Sequence, residues 1–394
     1  MKSIYLKLFT LACILAQVLA DECNQELKVN SQQDLDSIRQ CRLFTGTITV
    51  DQTDASSLKF NGVETLDGSV ILTGNNALTQ LSFPQLVSVS NQIKLENNRA
   101  LVSVDFPMLQ SVRSFEIIVH PALQALSFPA ELSHIDTFTV TDTTITRVDG
   151  LKAAQIRDFT VTNNIYLKSV TASNMTAING MLMIADNSPG FSLDLSSVQS
   201  VRSIVFRTVG TLNLSQLSKI NGDVALIANS FDEFALSKLQ SIDGTLTISN
   251  NKRLSKLSFP ELTRLGGTLS ITDNPELNTI DAFAKLQEVI GTLDVTGDFA
   301  ELRLPDLNDV RGGLNVQTSS NKFSCQDMEK LRNGVIKGNS YTCKAAVINP
   351  KSGISRGNGG GLGTSAASMT LIHPRWSDLF VVLGTVSALF ILVF

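Results

Sequence analysis

GSVILTGN (Gly68–Asn75), GTLTISNN (Gly244–Asn251), GTLSITDN (Gly267–Asn274) and GTLDVTGD (Gly291–Asp298) are copies of one pattern. Fainter copies start near Gly46, Asn91, Arg113, Asp136, Arg157, Gly180, Arg202, Gly222 and Gly312, so a block of about 22 residues recurs roughly a dozen times. A fixed period in this range is the signature of a solenoid, in which each repeat is one coil that contacts only its neighbours. Such a shape predicts an elongated surface that holds other molecules rather than a pocket for catalysis.

The full unit reads G-x-Φ-x-Φ-x-x-N-x-x-L-x-x-L-x-F-P-x-L-x-x-Φ, with Φ apolar. Its first half alternates with period two, so it forms a strand with one buried face. The inward pairs run from Val70/Leu72 and Ile93/Leu95 through Phe115/Ile117 and Leu246/Ile248 to Leu314/Val316. Stacked coils would join these strands into one parallel sheet, and the rest of each coil supplies the crossover that parallel pairing requires. Asn recurs in register at 75, 98, 164, 187, 229, 251 and 274. Asn tolerates left-handed backbone, and its amide can bond nearby peptide groups, so these side chains should form a ladder at one corner. Phe83-Pro84, Phe106-Pro107, Phe128-Pro129 and Phe259-Pro260 mark a second corner, because proline donates no ladder bond. Their phenylalanines should stack through the core. The Asn and Leu positions degrade near Thr143–Lys152, which marks a candidate boundary between two halves.

Both ends carry targeting patterns. Lys2 and Lys7 precede the apolar run Leu8–Val18, and Val18-Leu19-Ala20 suits removal of a signal peptide between Ala20 and Asp21. At the other end, small residues at 363–368, a spacer at 369–378 and the apolar tail Leu379–Phe394 form the pattern of a GPI-attachment signal. Ser365 is the expected attachment residue, with Asn358 as the alternative. The segment 344–365 is rich in Gly and Ser and reads as a flexible stalk.

Cys13 would leave with the signal, and Cys23, Cys41, Cys325 and Cys343 remain. An even count in a secreted chain implies disulfides. Four cysteines allow three connectivities, but long-range pairing would bring the two ends of a solenoid together. The expected bonds are therefore Cys23–Cys41 and Cys325–Cys343, each closing around a short helix. Ser31-Gln32-Gln33-Asp34 resembles a capping box at the start of the first helix, with Leu35 and Ile38 on one face. The second helix starts at Cys325 and should stop near Asn333-Gly334. A solenoid needs such caps because its end coils would otherwise expose apolar faces and open strand edges.

The pattern resembles the receptor L domains of insulin- and EGF-receptor ectodomains. The whole layout resembles the fungal GPI-anchored surface proteins related to yeast sporulation-specific and cell-wall-organisation proteins. The matching features are the signal peptide, the segment Val29–Ile38 between Cys23 and Cys41, a dozen coils, the C-terminal cysteine pair, the stalk and the tail. This resemblance implies a role in cell-wall integrity and surface organisation and brings no catalytic residues with it. The stalk here is shorter and poorer in Ser and Thr than the family's pattern, which weakens any expectation of a heavily O-glycosylated stalk.

Other chemistry finds little support. A polysaccharide lyase or hydrolase on a parallel β-helix would need carboxylates converging on the exposed strand face. The outward column instead reads Thr49, Ile71, Lys94, Glu116, Thr139, Thr160, Met183, Val205, Ala225, Thr247, Ser270, Asp294 and Asn315, with acids isolated. Lys94 and Glu116 are expected to form a surface ion pair. No zinc spacing, phosphate loop or nucleophile motif occurs, so neither cofactor nor metal is expected. A net charge of −4 without a basic stripe gives no support for nucleic-acid binding. Met181, Met183, Val205 and Ala225 form a candidate interaction patch on an otherwise Thr-rich face. Asn174-Met175-Thr176 and Asn213-Leu214-Ser215 are sequons at outward positions, so Asn174 and Asn213 are expected N-glycosylation sites.

The expected fold is mainly β: a leucine-rich-repeat-like parallel β solenoid of receptor L-domain type, with about 12–13 coils and short helical disulfide caps. At ~4.8 Å per strand its length would be about 60 Å. The expected segments are a signal peptide (1–20), an N-terminal disulfide cap (21–45), the solenoid (46–320), a C-terminal disulfide cap (321–343), the stalk (344–365) and a GPI-attachment propeptide (366–394). The expected partners are the plasma membrane, through a GPI lipid, and cell-wall polysaccharide or surface proteins. The leading role is a non-catalytic surface glycoprotein supporting cell-wall organisation; the alternative is a receptor or adhesin that binds a peptide or glycan.

Overall fold

A computed structural model describes residues 22–353, so Ala20, Asp21, Asn358 and Ser365 lie outside the described residues. The chain winds into a parallel β solenoid of about 13 turns. The strands of the principal sheet pair in parallel from Leu27–Val29 at one end to Tyr341–Lys344 at the other. Inward residues stack on inward residues: Val70 lies beside Ile93, Phe115 beside Phe138, and Leu246 beside Leu269. All three pairs are fully buried, because the two-residue period sends alternate side chains into one continuous core. The pairing also runs on through Thr143–Lys152, with a register shift between Asp149 and Leu151.

The corner ladder is built from more than asparagine. Asn251 Nδ2 donates to the Leu226 carbonyl at 3.0 Å and to Asn274 Oδ1 at 3.0 Å. Its Oδ1 accepts the Asn229 amide at 2.8 Å and Asn229 Nδ2 at 3.1 Å. The same bonds link Asn75 to Asn98 and Asn164 to Asn187. Thr53, His120, Thr143 and Val209 occupy the ladder position in four other coils, and Phe299 and Thr318 continue it beyond Asn274; the Thr53, Thr143 and Val209 amides donate to the next coil's asparagine, and the Phe299 amide donates to Thr318 Oγ1. The left-handed residue is not the ladder asparagine but the residue before it. Asn97, Val119, Asp142, Asn163, Asp186, Thr208, Ala228, Asn250 and Asp273 have φ between 52° and 61°. That turn aims the next side chain inward, where its amide meets the backbone of neighbouring coils. The ladder asparagine is therefore selected for hydrogen bonding, not for its tolerance of positive φ.

Close stacking also needs glycine. A Cβ on Gly267 would lie 2.6 Å from the carbonyl carbon of Gly244, and one on Gly291 would lie 2.7 Å from that of Gly267. No side chain fits where one coil's backbone crosses the next so closely.

The phenylalanines of this corner stack in two runs rather than through the whole core, and Phe115, Phe138 and Phe159 on the principal sheet stack as a separate run. Phe60, Phe83 and Phe106 follow at centroid distances of 4.3 and 4.8 Å, and Phe259 meets Phe283 at 5.3 Å. Between the runs the column holds Ala172, Leu195, Leu214 and Leu236, all buried. Pro129 lies within the strand Leu126–Leu132 rather than outside a strand.

Each end carries a disulfide beside a short helix. Cys23 bonds Cys41 next to Gln32–Ser37, and Cys325 bonds Cys343 next to Gln326–Arg332. The Asp34 carboxylate accepts the Asn30 and Ser31 amides at 2.8 and 2.9 Å, and those bonds hold its pKa below the ordinary carboxylate value. Leu35 and Ile38 close the first coil from above, and Met328 is buried at the other end.

The segment after Cys343 departs from the expected free stalk. Tyr341–Lys344 pairs with Leu314–Thr318, and the Ala346 and Val347 amides donate to the Ser320 and Thr318 carbonyls. The chain then crosses the outward face of the sheet as far as Gly353. Within 344–353 the small residues Ser352 and Gly353 stand at the end of this crossing, where both bond the Asp294 carboxylate on that face.

Two stability predictions follow from the ladder. Asn251→Ala would strip the Leu226 carbonyl and the Asn229 amide of buried partners, so urea unfolding should show a loss of roughly 2–4 kcal/mol. His120 Nε2 lies 3.2 Å from Asn98 Nδ2, a donor, so the ladder takes the neutral ring. Burial pushes the imidazole pKa down to about 4. Its folded value thus lies below the unfolded value of about 6.5, and its stabilising contribution is complete above that pH. That contribution is lost as pH falls toward 4, by roughly 3 kcal/mol, and His120→Asn should flatten this part of the stability–pH curve.

Candidate interaction surface

The outward face of the principal sheet is the largest regular surface that the coils build. Its central column follows the strand register: Lys94 lies beside Glu116, Thr160 beside Met183, Met183 beside Val205, Val205 beside Ala225, and Asp294 beside Asn315. Neighbouring strands bring these side chains within packing distance of one another.

The four patch residues are therefore brought together, but they are less exposed than the pattern suggests. Met181, Met183 and Ala225 are half-buried, and Val205 is only 7 % exposed. Tight packing between adjacent coils hides most of the apolar surface that alternation alone assigns to solvent. The Met181 amide donates to Asp158 Oδ1 at 2.9 Å, which fixes the start of the methionine strand.

Lys94 does not pair with Glu116. Its ammonium meets Glu96 Oε2 at 2.8 Å on the same strand, and that partner raises its pKa. Glu116 instead accepts Ser114 Oγ at 2.9 Å. Glu116 lies on the nearer position, about 4.8 Å across strands against about 6.6 Å along the strand to Glu96, but the long lysine side chain spans either gap and its ammonium settles on Glu96.

Other acids on the coils are held by cations of neighbouring coils. Arg264 joins Asp243 and Glu288 at 3.3 and 2.9 Å, and Arg311 joins Glu288 and Asp309 at 2.6 and 3.2 Å. Such exposed pairs contribute about 0–1 kcal/mol each. They also leave these carboxylates as acceptors in ion pairs rather than as a converging acid–base couple. Among the described residues, no group of three or more His, Cys, Asp or Glu side chains is placed to hold a metal. His134 Nδ1 meets Ser133 Oγ at 2.9 Å on the surface.

Asp294 has a role that alternation did not reveal. It is fully buried beneath the segment after the C-terminal disulfide. Its carboxylate accepts Asn315 Nδ2 at 2.6 Å, the Gly353 amide at 3.1 Å, and the Ser352 hydroxyl. Asn315 and Gln317 also donate to the Lys351 carbonyl at 2.9 and 3.0 Å. The outward face is thus open over its middle coils and strapped at its C-terminal end. The only sequence signal was an acid facing outward with no cation beside it.

Asn174 and Asn213 are both exposed. Asn174 sits in a turn, and Asn213 ends the side strand Thr211–Asn213. Each position leaves room for a glycan to project.

Removing the strap's anchor should free it without unfolding the coils. Hydrogen bonds to a charged group contribute roughly 1.5–3 kcal/mol, so Asp294→Ala should speed tryptic cleavage after Lys351 by about tenfold or more. Far-ultraviolet circular dichroism should stay unchanged.

No family model and no solved structure matches the chain. Curated relatives do match along most of its length. A protein named "Cell surface GPI-anchored protein" from Arthroderma benhamiae is 30% identical over 362 residues, covering 92% of this chain and 93% of the relative. "Protein ecm33" of Aspergillus fumigatus is 31% identical, covering 92% and 90%. "Cell wall protein ecm33" of Schizosaccharomyces pombe is 30% identical, covering 81% and 76%. None of these relatives bears the name of an enzyme. Identity of 30% or more over most of each chain shows that the protein belongs to the fungal family of cell-surface and cell-wall proteins that includes the ecm33 proteins.

Proposed function

We propose that the protein is a non-catalytic, GPI-anchored surface glycoprotein that supports cell-wall organisation and integrity. The observation that carries this reading is the near-full-length likeness to relatives named for the cell surface, the cell wall and a GPI anchor. The rest of the molecule is consistent with it. Two disulfides suit an oxidising compartment. A solenoid capped at both ends gives a stiff body with a long accessible face, suited to contact with polysaccharide or other surface proteins. The expected signal peptide, ending between Ala20 and Asp21, would deliver it to the surface. Lipid attachment at Ser365, or at Asn358, would hold it there.

The alternative role, a receptor or adhesin, would use the same outward face. Its candidate patch is half-buried, which leaves a smaller apolar contact than an exposed stripe would give. The two roles separate experimentally: a saturable ligand lost on Met183→Asp would favour the receptor, whereas wall fragility in cells lacking the protein, cured by the Met183→Asp variant, would favour the structural role. Turnover of a wall polysaccharide by the purified protein would overturn both.

Anchoring is tested on intact cells with phosphatidylinositol-specific phospholipase C, with and without glucan digestion. Release by the phospholipase alone is the expected result for a GPI-held membrane protein. Release only after glucan digestion would place the protein in covalent attachment to the wall. Retention under both treatments would overturn the GPI assignment.

A further inference from the structure

The coil between Val209 and Asn229 is the shortest in the asparagine ladder. Its ladder positions are 20 residues apart, against 21 to 23 in the other coils linked through asparagine. The side strand Thr211–Asn213 begins directly after Gly210, so this coil lacks a counterpart of Leu101 or Leu254, both fully buried in their own coils. Thr211–Asn213 pairs with Ser192–Asp194 before it, and Glu233–Ala235 pairs with Lys256–Ser258 after it. Between Thr211–Asn213 and Glu233–Ala235 the side sheet is interrupted. The Leu195 and Leu236 amides donate to the Asn213 and Ser258 carbonyls, but no corresponding bond joins Leu214 to Ala235.

A cavity of about 310 Å³ opens at this interruption, lined by Gly210, Leu212, Leu214, Phe231, Glu233 and Phe234 among others. That volume lies at the lower end of ligand-sized cavities, roughly 300–1,000 Å³. Leu212 is half-buried, whereas its counterparts Leu193 and Leu257 are 2% and 4% exposed. An apolar wall here lacks the cover that every neighbouring coil provides.

The sequon stands on the rim. Asn213 is exposed, and the residues on either side of it, Leu212 and Leu214, both line the cavity. The Ser215 amide donates to Asn213 Oδ1 at 3.3 Å, which orients the carboxamide. We propose that an N-linked glycan on Asn213 folds over this notch, with its first N-acetylglucosamine packed against Leu212, Leu214 and Phe231. The apolar CH faces of a pyranose match those side chains, and its hydroxyl and amide groups match the remaining acceptor positions of the lining carboxylates Asp232 and Glu233, which are paired with Arg253 and Lys256 at 2.9 and 3.8 Å. In the attachment step, Asn213 Nδ2 bonds to the anomeric carbon of a lipid diphosphate-linked oligosaccharide. The carbon–oxygen bond to the diphosphate breaks, the lipid diphosphate leaves, and Nδ2 loses one proton. The inference rests on the surface-glycoprotein reading, because that sugar donor is met on the secretory route.

The test uses the full chain released from cells. Mass spectrometry should find Asn213 occupied. Peptide N-glycosidase F, which removes the whole glycan, should lower the unfolding midpoint by about 2 °C or more. Endoglycosidase H, which leaves the first sugar, should leave the midpoint unchanged. Ser215→Ala, which removes the sequon and keeps the asparagine, should reproduce the full shift, whereas Asn174→Gln should not. A bare Asn213, equal shifts from the two glycosidases, or equal shifts from Ser215→Ala and Asn174→Gln would overturn the proposal. Phospholipase release of a protein bare at Asn213 would overturn it while leaving the surface assignment intact.

Discussion

Every coil must turn a corner inside the molecule, and the buried peptide groups at that corner must find partners. The side-chain ladder through Asn75, Asn98, Asn164, Asn187, Asn229, Asn251 and Asn274 answers that demand. Leaving a buried amide or carbonyl unpaired costs about 1–3 kcal/mol, so the ladder repeats wherever the corner repeats. It also sets the vertical register. Each asparagine accepts from the coil before it, so slipping one coil would break bonds on both sides. The sheet, the glycine column and the phenylalanine runs all assume that register.

Given that register, the stack is a one-dimensional object whose features arise where the repeat deviates. His120 replaces an asparagine and makes one rung dependent on a neutral ring. Val119 carries a β-branched side chain at φ 61°, next to that rung. Val209 offers no side-chain polar atom, and its coil is short; the side sheet breaks at the next strand. The strap at Asp294 is another deviation, in which a Thr-rich face acquires a carboxylate and captures the following chain. A perfect repeat would be a featureless surface, so departures from it are where specific contacts can form.

For a wall protein, this architecture separates rigidity from recognition. The core and ladder make a stiff body that depends little on any one surface residue. The outward face is accessible over its middle coils, and exposed Asn174 and Asn213 offer places for glycans. Single-site surface change therefore alters contacts without threatening the fold, whereas changes at Gly267 or Asn251 strike the stack itself.

The amino-acid sequence by itself determined the coil. Alternation at pairs such as Val70/Leu72, the recurring glycine and asparagine, and the cysteine placement are local chemistry repeated at fixed spacing, so the parallel stack, its register and its family could be read without coordinates. Three things were not legible. The left-handed residue is the one before each asparagine, because the corner's geometry depends on which side chain must point inward. Lys94 bonds Glu96 and not Glu116, because partner choice rests on differences of side-chain reach that spacing does not encode. The burial of Val205 and Asp294 and the notch beside Asn213 depend on how one coil's packing meets the next, and on where the chain travels after Cys343. A repeat pattern specifies what each coil wants to bury; only the tertiary stack decides what is left to cover it.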